Sequence, residues 1–299
     1  MIHVLHLGLS YACNMRCAHC FVDRRRDALD IGTIKRTIQT LVDRYGLFIV
    51  YYTHGEPLLS PMFGEVTEFC RDLGLVQILM TNGSLVDASA AQLLRQNGIS
   101  HVYVSLDSSD PSAHDANRCY PGAYQKALDG IRALKDGGLP VGISTTVTAQ
   151  NVTNISEVWD LACDLGVNSF SLLAQREDGI LFPAAERPEY RDFVLKLLEN
   201  ARSHRVNLFL HDPRLLPAIE DAFRQGRIPA QTYEKYREMN RCHYDTTLSI
   251  TPDGSVSHCN LAPVSMGNLL SQEIGELLEK EEQKNEYPVC CSQLSGAGQ

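Results

Sequence analysis

The chain predicts an α/β fold built around a parallel sheet, with a smaller α+β segment at its carboxyl end. Three observations predict it. Short apolar runs alternate with stretches of helical spacing from residue 2 to residue 210, the repeat of βαβ units. Of 299 residues, 44% are hydrophobic and 21% charged, enough to bury one large core and carry an appendage. From about residue 215 the alternation stops, and a helical stretch leads into a hairpin pattern.

The elements follow in order. Residues 2–9 read as a first strand. Residues 31–45 have helical spacing, with Ile34, Ile38, Leu41 and Val42 on one face. A second strand, 48–52, runs into Gly55-Glu56-Pro57. A helix over 62–73 precedes a third strand, 76–81, which stops at Asn82-Gly83. A helix over 88–96 leads to a fourth strand, 102–106. The next helix, 124–136, is stopped by Gly137-Gly138 and followed by a fifth strand, 141–147. A helix over 155–165 precedes a sixth strand, 170–173; a helix over 187–204 and a further strand, 206–210, end this part. The second part starts with a helix over 216–241. Residues 247–250 and 256–259 then form a hairpin about an Asp253-Gly254 turn, and 269–283 a last helix. The expected division is 1–214 and 215–299.

Composition excludes some functions. No apolar run reaches the roughly eighteen residues of a membrane span. The first residues, Met1-Ile2-His3-Val4-Leu5, lack the basic flank and cleavage site of a signal peptide, so a cytoplasmic protein is expected. A net charge of −9 argues against nucleic acid or an anionic membrane as a partner. Ten cysteines in a reducing compartment point to metal and not to disulfides.

The densest chemistry lies in Ser10-Tyr-Ala-Cys-Asn-Met-Arg-Cys-Ala-His-Cys-Phe21, directly after the first strand. Cys13, Cys17 and Cys20 have three and two residues between them. Three thiolates on one loop can hold three irons of a cubane cluster and leave the fourth iron open, and thiolates are soft donors that suit iron–sulfur chemistry. The alternatives are zinc, which takes four closed ligands, or unrelated thiols.

This CxxxCxxC loop, with Gly55-Glu56-Pro57 after the second strand, resembles the signature of the radical S-adenosylmethionine (SAM) superfamily over residues 3 to 180. His54 stands where the family's GGEP-type motif has its first glycine. The resemblance implies a partial (β/α)6 TIM-like barrel whose site forms at the carboxyl ends of the strands. It implies SAM and a [4Fe–4S] cluster on Cys13, Cys17 and Cys20. The backbone around Gly55 and Glu56 is expected to receive the SAM amino group, and Asn82, Ser105 and Asp107 to touch its methionine or ribose part. Leu173 is expected at the adenine; Ser144 and Thr146 are further candidates, although alternating Ser/Thr is also plain strand propensity. His19 and Phe21 either pack beside the cluster or fill a core gap.

Cys242 and Cys259, with sixteen residues between them, bracket the hairpin. The segment resembles the Twitch/SPASM appendage and implies one auxiliary [4Fe–4S] cluster on Cys242, Cys259, Cys290 and Cys291. The adjacency of the last pair departs from the pattern and leaves open that one of the two is free; a zinc knuckle is the alternative. Cys70 and Cys163 fall in helical patterns and read as small core residues. Cys119, in a loop beyond the fourth strand, is either a catalytic hydrogen donor or incidental.

The cofactor pair implies a 5′-deoxyadenosyl radical that abstracts a substrate hydrogen. A thiol that returns a hydrogen gives an epimerase, with Cys119 as donor or Cys242 if it does not ligate. An electron passed to the auxiliary cluster gives a dehydrogenase or a peptide-crosslinking enzyme. Asp107, Asp110, Asp115, Glu177 and Asp178 lie on loops that could hold ammonium groups of an amino sugar. The expected function is therefore epimerisation of a sugar carbon, as in the radical SAM enzymes of aminoglycoside biosynthesis of the neomycin-epimerase type. An amino-cyclitol dehydrogenase or a peptide-modifying epimerase or cyclase is the second reading, and a zinc-stabilised scaffold the third. The first strand starts at residue 2 or 3, so no peptide-binding domain is expected ahead of it. Expected partners are an aminoglycoside-like or peptide substrate and a flavodoxin or ferredoxin reductant.

Overall fold

β1 (Val4–Gly8) alternates in burial, with Leu5 and Leu7 turned towards the helices and His6 towards the opposite face. The structure, a computed structural model, describes residues 1–22, 26–177, 180–201, 203–240, 246–258 and 264–282. After β1 and the cysteine loop comes α1 (Ile31–Thr40), whose first turn is capped by Asp30 accepting from the Thr33 amide. It continues as a π-turn over Leu41–Tyr45 and ends at Gly46. β2 (Ile49–Thr53), α2 (Phe63–Asp72), β3 (Val76–Thr81), α3 (Ala88–Gln96) and β4 (Ile99–Ser105) follow as the apolar pattern predicts.

Two helices then stand where the spacing predicted one, α4 (Pro111–Arg118) and α5 (Ala123–Asp136). α4 starts on an Asp110 cap with Pro111 in its first turn, and its buried residues are His114 and Arg118. It has no apolar stripe for periodicity to find. β5 (Val141–Val147), α6 (Ile155–Asp164) and β6 (Ser169–Ala174) complete the sixth unit. A small hairpin, β7 (Arg176–Glu177) and β8 (Ile180–Leu181), leads to α7 (Pro188–Glu199) and β9 (Asn207–His211). The helix expected over 216–241 is two helices, α8 (Leu216–Arg224) and α9 (Ala230–Met239). Gly226, at φ +72°, and Pro229 break it. β10 (Thr247–Ile250), β11 (Ser255–Ser257), β12 (Ser265–Asn268) and α10 (Ile274–Glu282) close the described chain.

The sheet order is β12-β11-β10-β1-β2-β3-β4-β5-β6-β9. From β10 to β9 every neighbouring pair is parallel, and only β11 and β12 run antiparallel at the edge. The sheet is an open, partial barrel. The division expected at 214/215 falls between β9 and α8, and β10 joins the same sheet directly beside β1.

The core lies between the sheet's outer face and the helices, where Leu5, Val50, Leu79, Val102, Ile143, Phe170 and Leu210 are fully buried. The alternate residues line the concave face. Tyr103 on β4 reaches over Gly142 to meet Phe209 on β9 edge-on, ring centroids 6.4 Å apart, although two strands lie between them. A flat sheet would separate those strands by about 14 Å, so the contact requires curvature. Gly142 is needed for it, since a Cβ there would lie 2.6 Å from the Tyr103 ring. The strands that line the lumen bring no charge to it: β1 to β6, β9 and β10 contain no Lys, Arg, Asp or Glu. One cation comes from outside them, Lys235 of α9, whose Nζ lies 5.4 Å from the Phe209 ring centroid.

Candidate active site at the carboxyl ends of the strands

The cysteine loop leaves β1 and is held from three sides. On the first side, Gly55 at the end of β2 has φ +54°, and a Cβ there would lie 2.4 Å from the Ala12 carbonyl and 2.5 Å from that of Ser10. Only glycine allows this approach, and it lets the Glu56 amide donate to Ala12 O at 2.8 Å. His54 also takes a positive φ, 61°, at the position expected to hold glycine.

On the second side, Asn82 after β3 donates to Asn14 Oδ1 at 2.9 Å, and Asn14 donates to Ser84 Oγ at 2.8 Å. The Glu56 carboxylate, 1% exposed, accepts from Thr81 Oγ1 and from the Asn82 amide, each at 2.8 Å. Burial raises its pKa, and those hydrogen bonds work against the rise. Its side chain therefore braces β2 to β3 and leaves only the backbone facing the loop.

On the third side, the carboxyl end of α4 docks on the loop: the Arg16 amide donates to Arg118 O at 3.3 Å and the Ala18 amide to Asn117 O at 2.8 Å. His19 Nδ1 lies 3.1 Å from Asn117 Oδ1. Asp107 pairs with Arg118 at 2.6 Å and also accepts from Asn117 Nδ2 and the Thr146 amide. Burial opposes its ionisation, but the Arg118 guanidinium holds its carboxyl below the usual carboxylate range. Both its oxygens are thus engaged within the protein. The same holds for Asp115, which accepts from the Gly122 and Tyr124 amides. Asp110 is exposed and caps α4 through Oδ1 alone. Two of the five carboxylates expected to meet ammonium groups are therefore spent on the fold; Asp178 and the Glu177 side chain lie outside the described residues.

Cys13 and Cys17 are partly buried and Cys20 is exposed; all three are free thiols. Donors point at two of the sulfurs: the Met15 amide at 3.5 Å from Cys13 Sγ, and Arg118 Nη1 at 3.6 Å from Cys17 Sγ. Three thiols on one loop, with N–H donors aimed at sulfur and a cleft of about 580 Å³ lined by Cys13, Tyr11, Arg16 and Leu59, fit an iron–sulfur cluster.

Ser105 and Ser144 are register partners on β4 and β5, and Thr146 pairs with Leu173 across β5 and β6. These four residues lie on the lumen face of the sheet. Phe21 is 53% exposed, beside the loop and outside the core. Cys119 is exposed at the left-handed cap of α4, and its Sγ donates to Ala116 O at 3.5 Å. Cys70 is buried as expected. Cys163 is exposed, because the buried stripe of α6 runs through Ile155, Val158, Trp159 and Ala162 and turns residue 163 outward. Cys242, Cys259, Cys290 and Cys291 lie outside the described residues.

A cysteine loop after the first strand of an open parallel barrel, clamped by a Gly-Glu-Pro turn, defines an enzyme class built for iron–sulfur radical chemistry. Residues 8–165 match the radical SAM superfamily, and the chain belongs to it. Its cofactors are accordingly SAM and a [4Fe–4S] cluster. Among similar proteins is the AdoMet-dependent heme synthase of Methanosarcina barkeri, 27% identical over 92% of this chain and 81% of that protein. The PqqA peptide cyclase of Streptomyces rochei is 25% identical over 94% of this chain and 76% of its own. Streptococcus suis SuiB bound to its precursor peptide SuiA superposes with a TM-score of 0.71 at 17% identity, over 99% of this chain and 66% of SuiB. These similarities lend no support to an aminoglycoside epimerase. Among the described residues no helix is long and apolar enough to cross a membrane.

Sequence reasoning missed Arg118, Asn117 and His114. Their signal was the Ser109-Asp110-Pro111 helix start, which places all three on one short helix facing the cysteine loop.

Proposed function

We propose that the chain is a radical SAM enzyme that oxidatively modifies a peptide. Cys13, Cys17 and Cys20 hold the [4Fe–4S] cluster, and the backbone at Gly55 and Glu56 receives the SAM amino group. Asn82, Ser105, Ser144 and Leu173 line the rest of the SAM site. Asp107, fully engaged with Arg118, positions the loop and does not reach a ribose. Cys242, Cys259, Cys290 and Cys291 supply the ligands of an auxiliary [4Fe–4S] cluster. When bound, the first cluster and SAM together supply a 5′-deoxyadenosyl radical that takes a hydrogen atom from a substrate C–H. The protein's own part is to orient that carbon, exclude water and offer hydrogen bonds to the substrate.

The absence of charged residues from the strands that line the lumen carries the choice of substrate. Tyr51, Tyr103, Ser105, Ser144, Ser171 and Phe209 offer rings and neutral donors and acceptors, which suit peptide amides. Burial pushes His6, with help from His54 and His211, down to about 4, and burial pushes His54 to about 4, so both are neutral near pH 7. An aminoglycoside needs carboxylates for its ammonium groups, and a tetrapyrrole needs cations for its propionates. Neither is present on these strands. The relative named as a peptide cyclase supports this reading, and SuiB, which shares the fold, binds a precursor peptide. A tetrapyrrole substrate is the second reading, favoured by the heme synthase similarity over 92% of the chain.

The test is to incubate anaerobically reconstituted, reduced protein with SAM and, separately, a pooled library of synthetic peptides, iron coproporphyrin and neomycin-type amino sugars. A peptide should raise 5′-deoxyadenosine and emerge two hydrogens lighter. Product dependent on the porphyrin or the sugar instead would overturn the peptide assignment. In heavy water, an unchanged mass plus one deuterium would show epimerisation, with Cys119 as the first donor to replace.

A further inference from the structure

The cysteine loop meets one buried cation. Arg118 Nη1 lies 3.6 Å from Cys17 Sγ, and its side chain is 8% exposed. The group cannot swing away. Its Nη2 is paired at 2.6 Å with Asp107, itself 1% exposed, and Asp107 is pinned by Asn117 Nδ2 at 2.9 Å and the Thr146 amide at 3.0 Å. The Arg118 carbonyl holds the Arg16 amide and its guanidinium meets the Cys17 sulfur, while the neighbouring Asn117 carbonyl holds the Ala18 amide on the other flank. Arg118 Nε is buried without a hydrogen-bond partner. An orphaned donor is costly, and bracing alone does not require a guanidinium at the sulfur.

We propose that Arg118 sets the reduction potential of the cluster at Cys13, Cys17 and Cys20 by fixing a positive charge against the Cys17 sulfur. One electron added to the cluster adds one negative charge. A buried cation lowers the cost of that charge, and in a low-dielectric site salt screens it little. Asp107 opposes the effect, but it pairs with Nη2 while Nη1 contacts the sulfur, so the cation is the nearer charge and its field dominates. Asp107 thus trims the effect of Arg118 as well as holding it in place.

The inference rests on Cys17 being a cluster ligand, and the experiment separates the two. Wild type, R118Q, R118K, D107N and C17A are reconstituted anaerobically in the full chain. Iron and sulfide are counted, and redox titrations follow the EPR signal that SAM perturbs, which keeps an auxiliary cluster out of the reading. R118Q should load iron and shift the midpoint to more negative potential; R118K should return it towards wild type. D107N should shift it the other way, to more positive potential, which loosened packing cannot do. If R118Q does not load, R118K and D107N still carry the test. A wild-type midpoint in R118Q overturns the inference, as does a shift in R118K equal to that in R118Q, or a D107N midpoint at or below wild type. If C17A keeps the SAM-perturbed signal, the ligand assignment itself fails, whatever Arg118 does.

Discussion

Among the described residues, two hold the left-handed backbone conformation without being glycine: His54, at φ 61°, and Cys119, at φ 48°. Both sit where the chain bends around the cysteine loop. Such a conformation costs an ordinary residue about 1 kcal/mol, and relief of it is measurable. Cys119→Gly should therefore raise the urea stability of the metal-free protein by up to about 1 kcal/mol, since the cap of α4 is kept and the strain relieved outweighs the exposed Sγ contact to Ala116 O and the added freedom of the unfolded chain. Gly55 poses the opposite case. Its missing Cβ is what allows the Ala12 and Ser10 carbonyls to approach, and backbone atoms cannot step aside as a flexible side chain does. Gly55→Ala should cost about 3 kcal/mol and reduce the iron bound per chain after reconstitution, read by urea unfolding and iron assay.

At the scale of elements, the sequence reading was accurate wherever burial sets a period. β1 to β6 and the helices between them carry apolar residues at spacings of two or of three and four, because each has one face against the core. The Cys13-Cys17-Cys20 spacing and the Gly55 turn were legible because a cofactor demands residue types and not merely polarity. α4 escaped because it packs on polar groups: what it buries is His114 and Arg118, and its partners are Asp107 and the backbone of the cysteine loop. A buried ion pair has no periodic signature, so neither the helix nor the second role of Asp107 could be read from pattern alone. β12 escaped for a related reason: it is a short edge strand, Ser265–Asn268, with none of its residues fully buried.

At the scale of the molecule, buried neutral histidines make stability depend on acidity. His114, 1% exposed, accepts from the Asp107 amide through Nδ1, and burial pushes its pKa from 6.5 to about 4. The unfolded chain takes up that proton at the ordinary value, so between 6.5 and about 4 the unfolded state binds more protons. The contribution is whole above 6.5 and is lost as pH falls towards 4. At about 1.4 kcal/mol per pKa unit the full loss is about 3 kcal/mol, of which about 2 kcal/mol falls between about pH 7.5 and pH 5 and is visible there as a drop in the urea midpoint of metal-free protein. His6 and His54 act in the same direction. His114→Gln keeps an acceptor for the Asp107 amide and should flatten the slope by its own share.

β1, which launches the cysteine loop, is hydrogen-bonded to β2 on one side and to β10 on the other. Its second neighbour, Thr247–Ile250, is separated from it by some 240 positions of chain. As the polypeptide leaves the ribosome, β1 therefore waits with one rim bare until Ile250 has emerged. Iron assembled on Cys13, Cys17 and Cys20 before that moment would rest on a half-paired ribbon, so cofactor loading belongs after β10 has docked and not before it.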